Sequence, residues 1–446
     1  METQYLAAVF SDSLKYANFF NGRILTATDL RDEQNVTLKR ARYLGQAAGE
    51  GVVYGLNVTA ATGGTALDVS GGLAINRRGD GLSLPGERTT VELVLVDQPT
   101  ASPTSPFVPC EIKAATTLTG VVSTGFYLLA LTSAARPSTE LAPHSGLNGS
   151  PGCTTRYEEV GVQFKLIPLT NADFVSPLPA GAPDNRSRLA HACFGTDLLL
   201  QVASDPAAMP SQYGLVDSLR ADGRLTDCDV PLALFHFQSA AVRFVDVWAV
   251  RRPCSQAIRV DPAGSEGALT RSTWLDQALA PLVSPRRALE AKAFLLQFQA
   301  HLEDLRADSN LNPPAIAAST YFHYLPAAGY LPIQTGSTGR RFRVATFFGE
   351  EIPRQELDPA YLRSLFHQSF YEAPLKPGEE AVDLYELPDA PPAEPFVIFV
   401  RRPRLVVVPA EDEPAEEEPS GEDDSGGGGT PPPPASGDLV VVVLDE

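Results

Sequence analysis

The sequence predicts an α+β, β-rich fold, with antiparallel sheets in sandwich-like domains and a helical insert. Apolar and polar residues alternate over 159–166, which predicts a half-solvated strand of an antiparallel sheet. Ser284-Pro285 and Asp358-Pro359 each place a capping residue before Pro at the first helical position, so a helix is expected to start at each pair. The 39 Pro and 35 Gly residues predict short elements joined by many turns.

We expect five segments. Residues 1–100 form a helix plus a small β-domain, 101–270 an antiparallel β-domain, and 271–408 a helical segment with C-terminal strands. Residues 409–438 form a disordered acidic, Gly- and Pro-rich linker, because acidic blocks with Gly and Pro runs cannot pack a core. Residues 439–446 form a tethered β-strand.

The first helix is expected to start at Thr26, because Asn21-Gly22 predicts a turn and Thr26-x-x-Asp29 predicts a capping box. It should run to about Gln46. One stripe of the helix has heptad spacing and consists of Leu30, Gln34, Thr37, Ala41, Leu44 and Ala48. Two interpretations are open: a surface helix lying on a sheet, or a helix at a subunit contact. The β-domain after it should hold strands at 52–59, 66–69, 72–75, 82–84 and 90–96.

In the middle of the chain, 125–132 is apolar on both faces and predicts a central strand. Residues 134–155 are expected to form a loop. Residues 231–237 and 242–250 predict a hairpin whose second strand also lies centrally. Later elements are expected at 271–283 and from 285 and 359 (helices), and at 396–400 and 405–408 (strands).

The net charge of −19 is largely local, since twelve acids and no Lys or Arg lie in 409–446. Without them the net charge is −7, and no basic surface for nucleic acid stands out. No apolar run of about 18 residues predicts a membrane span, and 1–10 lack the basic start of a secretory signal. The five Cys are widely spaced with no CxxC pair, so we expect reduced thiols, a cytoplasmic location and no structural zinc.

No nucleotide-binding or hydrolase motif is present, so we expect no enzyme activity, cofactor or metal. Asp246 lies in a buried-looking strand, where it needs a partner such as Arg251 or Arg252, or is a catalytic acid. His191 and Cys193 are too few for a metal site. Two further groups favour turns over sites: Asp222, Asp227 and Asp229, and Arg78-Gly79-Asp80.

The C-terminal apolar run is Leu439, Val440, Val441, Val442, Val443 and Leu444. A strand on a disordered tether can add to an exposed sheet edge of a partner. It can equally return to its own chain, beside Leu405–Val408, and both interpretations are open.

A string in the N-terminal region, NFFNGRILTATDL at 18–30, is followed by GVVYGLNV at 51–58. This order resembles bacterial proteins found with phage-tail-like contractile injection systems, over roughly 16–96. Weaker echoes are FVDVWAVRR at 244–252 and YLPAAGY at 324–330. The layout also resembles, distantly, the type VI secretion baseplate subunit TssK, a trimer. The residues of the expected assembly motif are Phe19, Phe20, Gly22, Leu25 and Asp29.

These resemblances imply a structural, baseplate- or tail-associated subunit of an injection particle, assembled in the cytoplasm. The implied partners are other subunits of the particle and further copies of the chain, with a trimer as one arrangement and no nucleic acid or membrane insertion. A receptor- or carbohydrate-binding tail fibre is the alternative function. A hydrolase using Asp246 with Glu158 or Glu159 is a third.

Overall fold

We describe the fold from a computed structural model. It describes residues 14, 17–18, 20–95, 119–137, 141–145, 151–155, 157–174, 177–179, 181–197, 214–255, 285–333, 340–369, 372, 374–387, 395–402, 405–407 and 442–444. The expected helix at 271–283, the linker at 409–438 and Phe19 lie outside these residues. The architecture is α+β and β-rich, as predicted.

The first sheet follows the long N-terminal helix α1 (Ala27–Ala48). Its strands are β1 (Gly51–Gly55), β2 (Val58–Ala60), β3 (Ala66–Ile75), β4 (Gly81–Leu95) and β5 (Thr119–Val122), in the order β1-β3-β4-β5 with β2 on β3. All pairs are antiparallel except β4 with β5.

The glycine pair at 71–72 does not separate two strands, as the sequence predicted, but lies inside β3 at an irregularity in its pairing. A Cβ on Gly72 would lie 2.3 Å from the carbonyl oxygen of Tyr54. The glycine therefore permits close approach of two backbones in place of a turn.

The second sheet has the order β11-β10-β6-β9 and is antiparallel throughout. Its strands are β6 (Gly125–Pro137), β9 (Glu158–Leu169), β10 (Asp229–Gln238) and β11 (Ala241–Asp246). The predicted central position of β6 is confirmed. The predicted hairpin of 231–237 and 242–250 is confirmed by the antiparallel pairing of β10 with β11. The predicted central position of its second strand is wrong, because β11 lies at the edge of the sheet and ends at Asp246. Apolar residues beyond it belong to a turn that packs against the core.

The segment at 134–155 was expected to be a loop, but it continues β6 and then forms a two-stranded ribbon of β7 (Leu141–Ser145) and β8 (Pro151–Thr155). Its Pro, Gly and Ser content concealed the pairing, because such residues are depleted from most strands.

The second sheet is shared between two cores. Tyr127, Leu129 and Leu131 of β6 pack against the first sheet, whereas Leu128 and Ala130 face the helices and the third sheet. Alternate residues of a strand point to opposite faces, so one apolar strand contributes to both cores. The core does not stop at residue 100, and the proposed domain boundaries stay a prediction.

The helical layer covers the other face of the second sheet. The helices in this part of the chain are α2 (Asn185–Phe194), α3 (Leu215–Ala221), α4 (Pro285–Ala307), α5 (Ala318–Tyr321), α6 (Val344–Phe348) and α7 (Pro359–Ser369). Short 3-10 turns occupy Asn171–Asp173 and Pro313–Ala315. The predicted starts at Pro285 and Pro359 are confirmed.

A third sheet lies beyond the helices, in the order β12-β15-β14-β13. Its strands are β12 (Ala328–Pro332), β13 (Arg354–Glu356), β14 (Val382–Glu386) and β15 (Phe396–Arg401). Only β13 and β14 run parallel among its pairs. Finally, β16 (Leu405–Val407) pairs antiparallel with β17 (Val442–Leu444).

The cysteines differ from the expectation of five reduced thiols. Cys228 is disulfide-bonded, whereas Cys193 and Cys254 are free. Wide spacing along the chain concealed this bond, because spacing alone does not show which cysteines the fold brings together.

Candidate assembly surface

Helix α1 starts as the sequence predicted. The Thr26 side chain accepts a hydrogen bond from the Asp29 backbone N–H, and the Asp29 carboxylate accepts one from the Thr26 backbone N–H at 2.9 Å. These bonds lower the pKa of Asp29, with a smaller contribution from the Arg23 guanidinium, which pairs with it. Asp29, one of the assembly-motif residues, therefore fixes the start of the helix.

The turn before α1 contains three further residues of the assembly motif, Phe20, Gly22 and Leu25. The Arg23 backbone N–H donates to the Phe20 carbonyl at 3.2 Å, which closes the turn at Asn21-Gly22, and Gly22 has φ +90°. Phe20 and Leu25 are both exposed, and Ile24 between them is 86% exposed. The turn thus holds apolar side chains in solvent without giving them an apolar partner among the described residues.

The last turns of α1 contact the first sheet. The Arg42 Nε donates to the Asp80 carboxylate at 2.6 Å, and the Gln46 side chain donates to the Arg78 carbonyl at 3.1 Å. Gly45 lies against Gly79 so closely that a Cβ on Gly45 would be 2.1 Å from the Gly79 oxygen. The Arg78-Gly79-Asp80 turn, predicted as a turn between strands, joins β3 to β4 and is the seat of the helix.

The heptad stripe of α1 is exposed along its whole length. All six of its residues are solvent-exposed, with Leu30 at 54% and Leu44 at 74%. Val36, on another side, is the one residue of the helix that is buried. The stripe therefore does not pack on the described part of the first sheet, and both interpretations of α1, a surface helix on a sheet and a helix at a subunit contact, stay open.

The string at 51–58 contacts the weaker echo at 244–252. The segment after β11 returns to β1, where the Val52 N–H donates to the Arg252 carbonyl at 2.9 Å and the Cys254 N–H donates back to Val52 at 3.0 Å. The Arg251 guanidinium donates to the carbonyl oxygens of Gly55 at 2.6 Å and Leu56 at 3.0 Å. Residues 244–255 thus connect the base of α1 to the second sheet.

Asp246 is buried, but its partner is not the predicted Arg251 or Arg252. Its carboxylate accepts from the Arg186 Nε at 3.1 Å, from the Gln297 side chain at 2.8 Å and from the Ala249 N–H at 3.1 Å. The arginine comes from α2, about 60 residues earlier in the chain, which no local pattern could indicate. Arg251 and Arg252 instead donate to backbone carbonyls.

The aspartates considered for calcium act as turn residues. Asp229 accepts from the Thr226 backbone N–H at 2.8 Å and from Lys165 at 2.9 Å, and Asp222 accepts from the Arg224 N–H at 3.0 Å. His191 donates or accepts at Nδ1 with the Thr196 hydroxyl at 2.8 Å inside the helical layer. Within the ranges that the structure describes, no three potential ligands gather in a way that would hold a metal ion.

At the C-terminus, Val442–Leu444 pair with Leu405–Val407 of the same chain. This is one of the two arrangements that the sequence left open. Leu439, Val440 and Val441 lie outside the described residues, and partner binding by the strand stays a prediction.

Comparison with known proteins finds a distant structural neighbour. No protein-family model and no curated protein matches the chain. A solved TssK-TssF-TssG baseplate subcomplex of a type VI secretion system contains a chain that is similar to this one at 8% identity, over 67% of this chain and 73% of that chain, with a TM-score of 0.23. That score does not indicate a common fold. None of the helices in the described ranges has the length and apolar character needed to cross a membrane.

Proposed function

We propose that this chain is a non-enzymatic structural subunit of a phage-tail-like contractile injection particle, in a baseplate or tail-associated position. In this proposal α1 packs against α1 of further copies of the chain, and other subunits of the particle bind around it. The observation that carries the self-association is the exposed heptad stripe of α1.

A heptad stripe is the pattern that two or more helices use to pack along each other. The stripe is apolar at Leu30, Ala41, Leu44 and Ala48 and polar at Gln34 and Thr37. Polar residues inside such a seam set the register and number of helices at some cost in stability. The stripe therefore fits an interface with copies of the same helix.

The energy available from this surface is modest for each residue. Fully burying a leucine contributes about 1.5–3 kcal/mol. Leu30 and Leu44 are 54% and 74% exposed in the single chain, so burying the remainder would contribute about 1–2 kcal/mol each per copy. A contact of several copies, with Phe20, Ile24 and Leu25 at one end, multiplies this contribution.

The resemblance of 16–96 to proteins of contractile injection systems supports the particle as the setting. Its strings fall on the exposed turn, on α1 and on the sheet that seats the helix. The string at 244–252 lies against this same sheet. The strings at 51–58 and 244–252 therefore adjoin each other, whereas the echo at 324–330 leads into β12 of the third sheet.

Self-association is tested on the full chain by light scattering after size-exclusion chromatography. We expect an oligomer for the natural sequence and a monomer for Leu30→Ser combined with Leu44→Ser, with unchanged circular dichroism because both side chains are exposed in the folded chain. Leu38→Ser is the matched control, since Leu38 is an exposed leucine of α1 outside the stripe. A natural chain that stays monomeric at tens of micromolar would refute the self-association.

The particle setting is tested separately by isolating sheath-containing particles from the source cells. We expect the chain in them at a fixed ratio to the sheath protein. The double variant should be lost from the particles, whereas the Leu38→Ser chain should remain. Particles that assemble and contract without this chain would contradict the structural role.

The docking role of the C-terminal strand is tested by deleting 437–446. If the strand binds a neighbouring subunit, the truncated chain should fold but enter fewer particles. Unchanged incorporation would leave only the pairing of β16 with β17 within the chain.

A further inference from the structure

A pocket lies where the first sheet, the second sheet and the helical layer meet. Its walls come from the start of β1, from β10, from α2, α3 and α4, and from the segment after β11. The void is about 540 Å³, including the solvent at its mouth. Ligand sites occur preferentially at such junctions of structural units.

Charged side chains dominate one part of the wall. Four are arginines: Arg77, Arg220, Arg252 and Arg286. Three are carboxyl groups: Glu50, Asp217 and Glu290. The lining therefore carries one net positive charge in a largely buried setting.

The carboxyl groups are used to hold the arginines in place. Glu50 accepts from the Arg77 Nε at 2.8 and 2.9 Å and from Arg220 at 3.1 Å. Arg286 donates to Asp217 at 2.6 Å and to Glu290 at 3.0 Å. The guanidinium groups are thus fixed in orientation before any ligand enters, which is the condition for strong anion binding.

The buried polar atoms of this lining that have no hydrogen-bond partner among the described residues include the Nε of Arg220 and the Oε2 of Glu290. Glu290 is 9% exposed. A buried unpaired donor costs free energy, and such a group in a folded protein indicates a ligand or an ordered water. Burial raises the pKa of Glu290, and the Arg286 guanidinium opposes this shift.

The rest of the wall is apolar. It includes Val216 of α3, Val230 of β10 and Val250 after β11. An inorganic ion would leave these side chains without a contact, whereas an organic group would cover them.

We propose that this pocket binds a small organic carboxylate. Its head group accepts a hydrogen bond from the Arg220 Nε, and its apolar body lies against the three valines. A monoanion neutralises the one net positive charge of the lining.

The test is isothermal titration calorimetry of the full chain with hexanoate, using hexanamide as the uncharged probe of the same shape. We expect saturable binding of hexanoate at least about tenfold tighter than of hexanamide, because hydrogen bonds to a charged acceptor are stronger than those to a neutral one. Acetate, which lacks the body, should bind about tenfold or more weaker than hexanoate, since three to four buried methylenes are missing. Equal affinity for hexanoate and hexanamide, or no saturation by hexanoate at 10 mM (a limit of roughly −2.7 kcal/mol), would overturn the proposal.

Two variants locate the binding. Arg220→Gln should weaken hexanoate about tenfold or more, but it also removes a partner of Glu50. Val216→Phe keeps every charged group and fills the pocket, so it should abolish binding while the chain stays folded. Ser218→Phe is the control, since it adds the same ring at an exposed position of the same helix. Unchanged binding by Val216→Phe, or tighter binding of inorganic phosphate than of hexanoate, would show that the site is not the one proposed.

Discussion

His191 makes the free energy of unfolding of this protein depend on pH. It lies buried in α2, with the Phe294 and Tyr324 rings at centroid distances of 4.5 and 4.9 Å. Burial lowers its pKa from 6.5 to about 3, His323 adds to the shift, and Asp197 opposes it. Because the charged imidazole is disfavoured in the folded chain, the folded state binds fewer protons than the unfolded chain between these two values.

The sign and size of the effect follow from this difference. The contribution is fully present above pH 6.5, where both states are neutral, and is lost as the pH falls towards 3. One bound proton corresponds to about 1.4 kcal/mol per pH unit. Lowering the pH from 6.5 to 4.5 should therefore reduce the free energy of unfolding by about 2–3 kcal/mol through this residue alone. Burial also lowers the pKa of His301, so the natural chain should lose more than this.

The perturbation is His191→Gln, and the assay is urea unfolding followed by tryptophan fluorescence at pH 7.5, 6.5, 5.5 and 4.5. At pH 7.5 we expect the variant to be less stable by about 1–3 kcal/mol, because the bond to Thr196 and the ring packing are weakened. Below pH 6.5 its stability should fall less steeply than that of the natural chain, by about 1.4 kcal/mol per unit. His367→Gln, at an exposed position of α7, is the control. Parallel pH profiles for the natural and His191→Gln chains would refute the reasoning.

Three further outcomes are expected. Gly45→Ala should displace α1 from its contact with Gly79 and speed hydrogen exchange in the last turns of the helix, although alanine favours helices. Gly161→Ala is the control, since nothing lies within 4 Å of an added Cβ there. Equal exchange rates of these helix amides in the natural and Gly45→Ala chains would contradict the contact. Asp246→Asn should lower the free energy of unfolding by about 2 kcal/mol, because it removes the buried charge partner of the Arg186 guanidinium and leaves its pair with the exposed Asp304. A loss below about 0.5 kcal/mol, measured by urea unfolding, would contradict this. The Cys254 thiol, which is half-buried, should react with a thiol reagent in the native protein faster than the buried free thiol of α2, and mass spectrometry of labelled peptides would show any reversal.

Local chemistry predicted the starts of elements well. The capping box at Thr26 and the Pro residues at 285 and 359 each act within one helical turn, so a short stretch of sequence contains the whole cause. The central position of β6 was also predictable, because a strand covered on both faces is apolar on both faces.

Features that depend on distant parts of the chain were not predictable. The partner of Asp246 comes from α2, and β11 lies at the edge of its sheet because the strands that complete the sheet, β10, β6 and β9, all pair on its other side. The pocket gathers residues from 50 to 290, and each of its charges alone resembled an ordinary surface residue. The exposed stripe of α1 was visible as a pattern, but only the fold showed that its own sheet leaves it uncovered.

The contact between Gly45 and Gly79 is made by backbone alone, and backbone lacks the rotamers through which a side chain would yield. The far end of α1 lies about 27 Å from Gly45, at a rise of about 1.5 Å per residue, so tilting the helix by one degree at that contact displaces this end by about 0.5 Å. Force applied at the N-terminal end of α1 therefore acts with a long lever arm on the hairpin between β3 and β4. The first sheet would therefore receive the displacement of a molecule that contacts this end as a torque on the hairpin between β3 and β4.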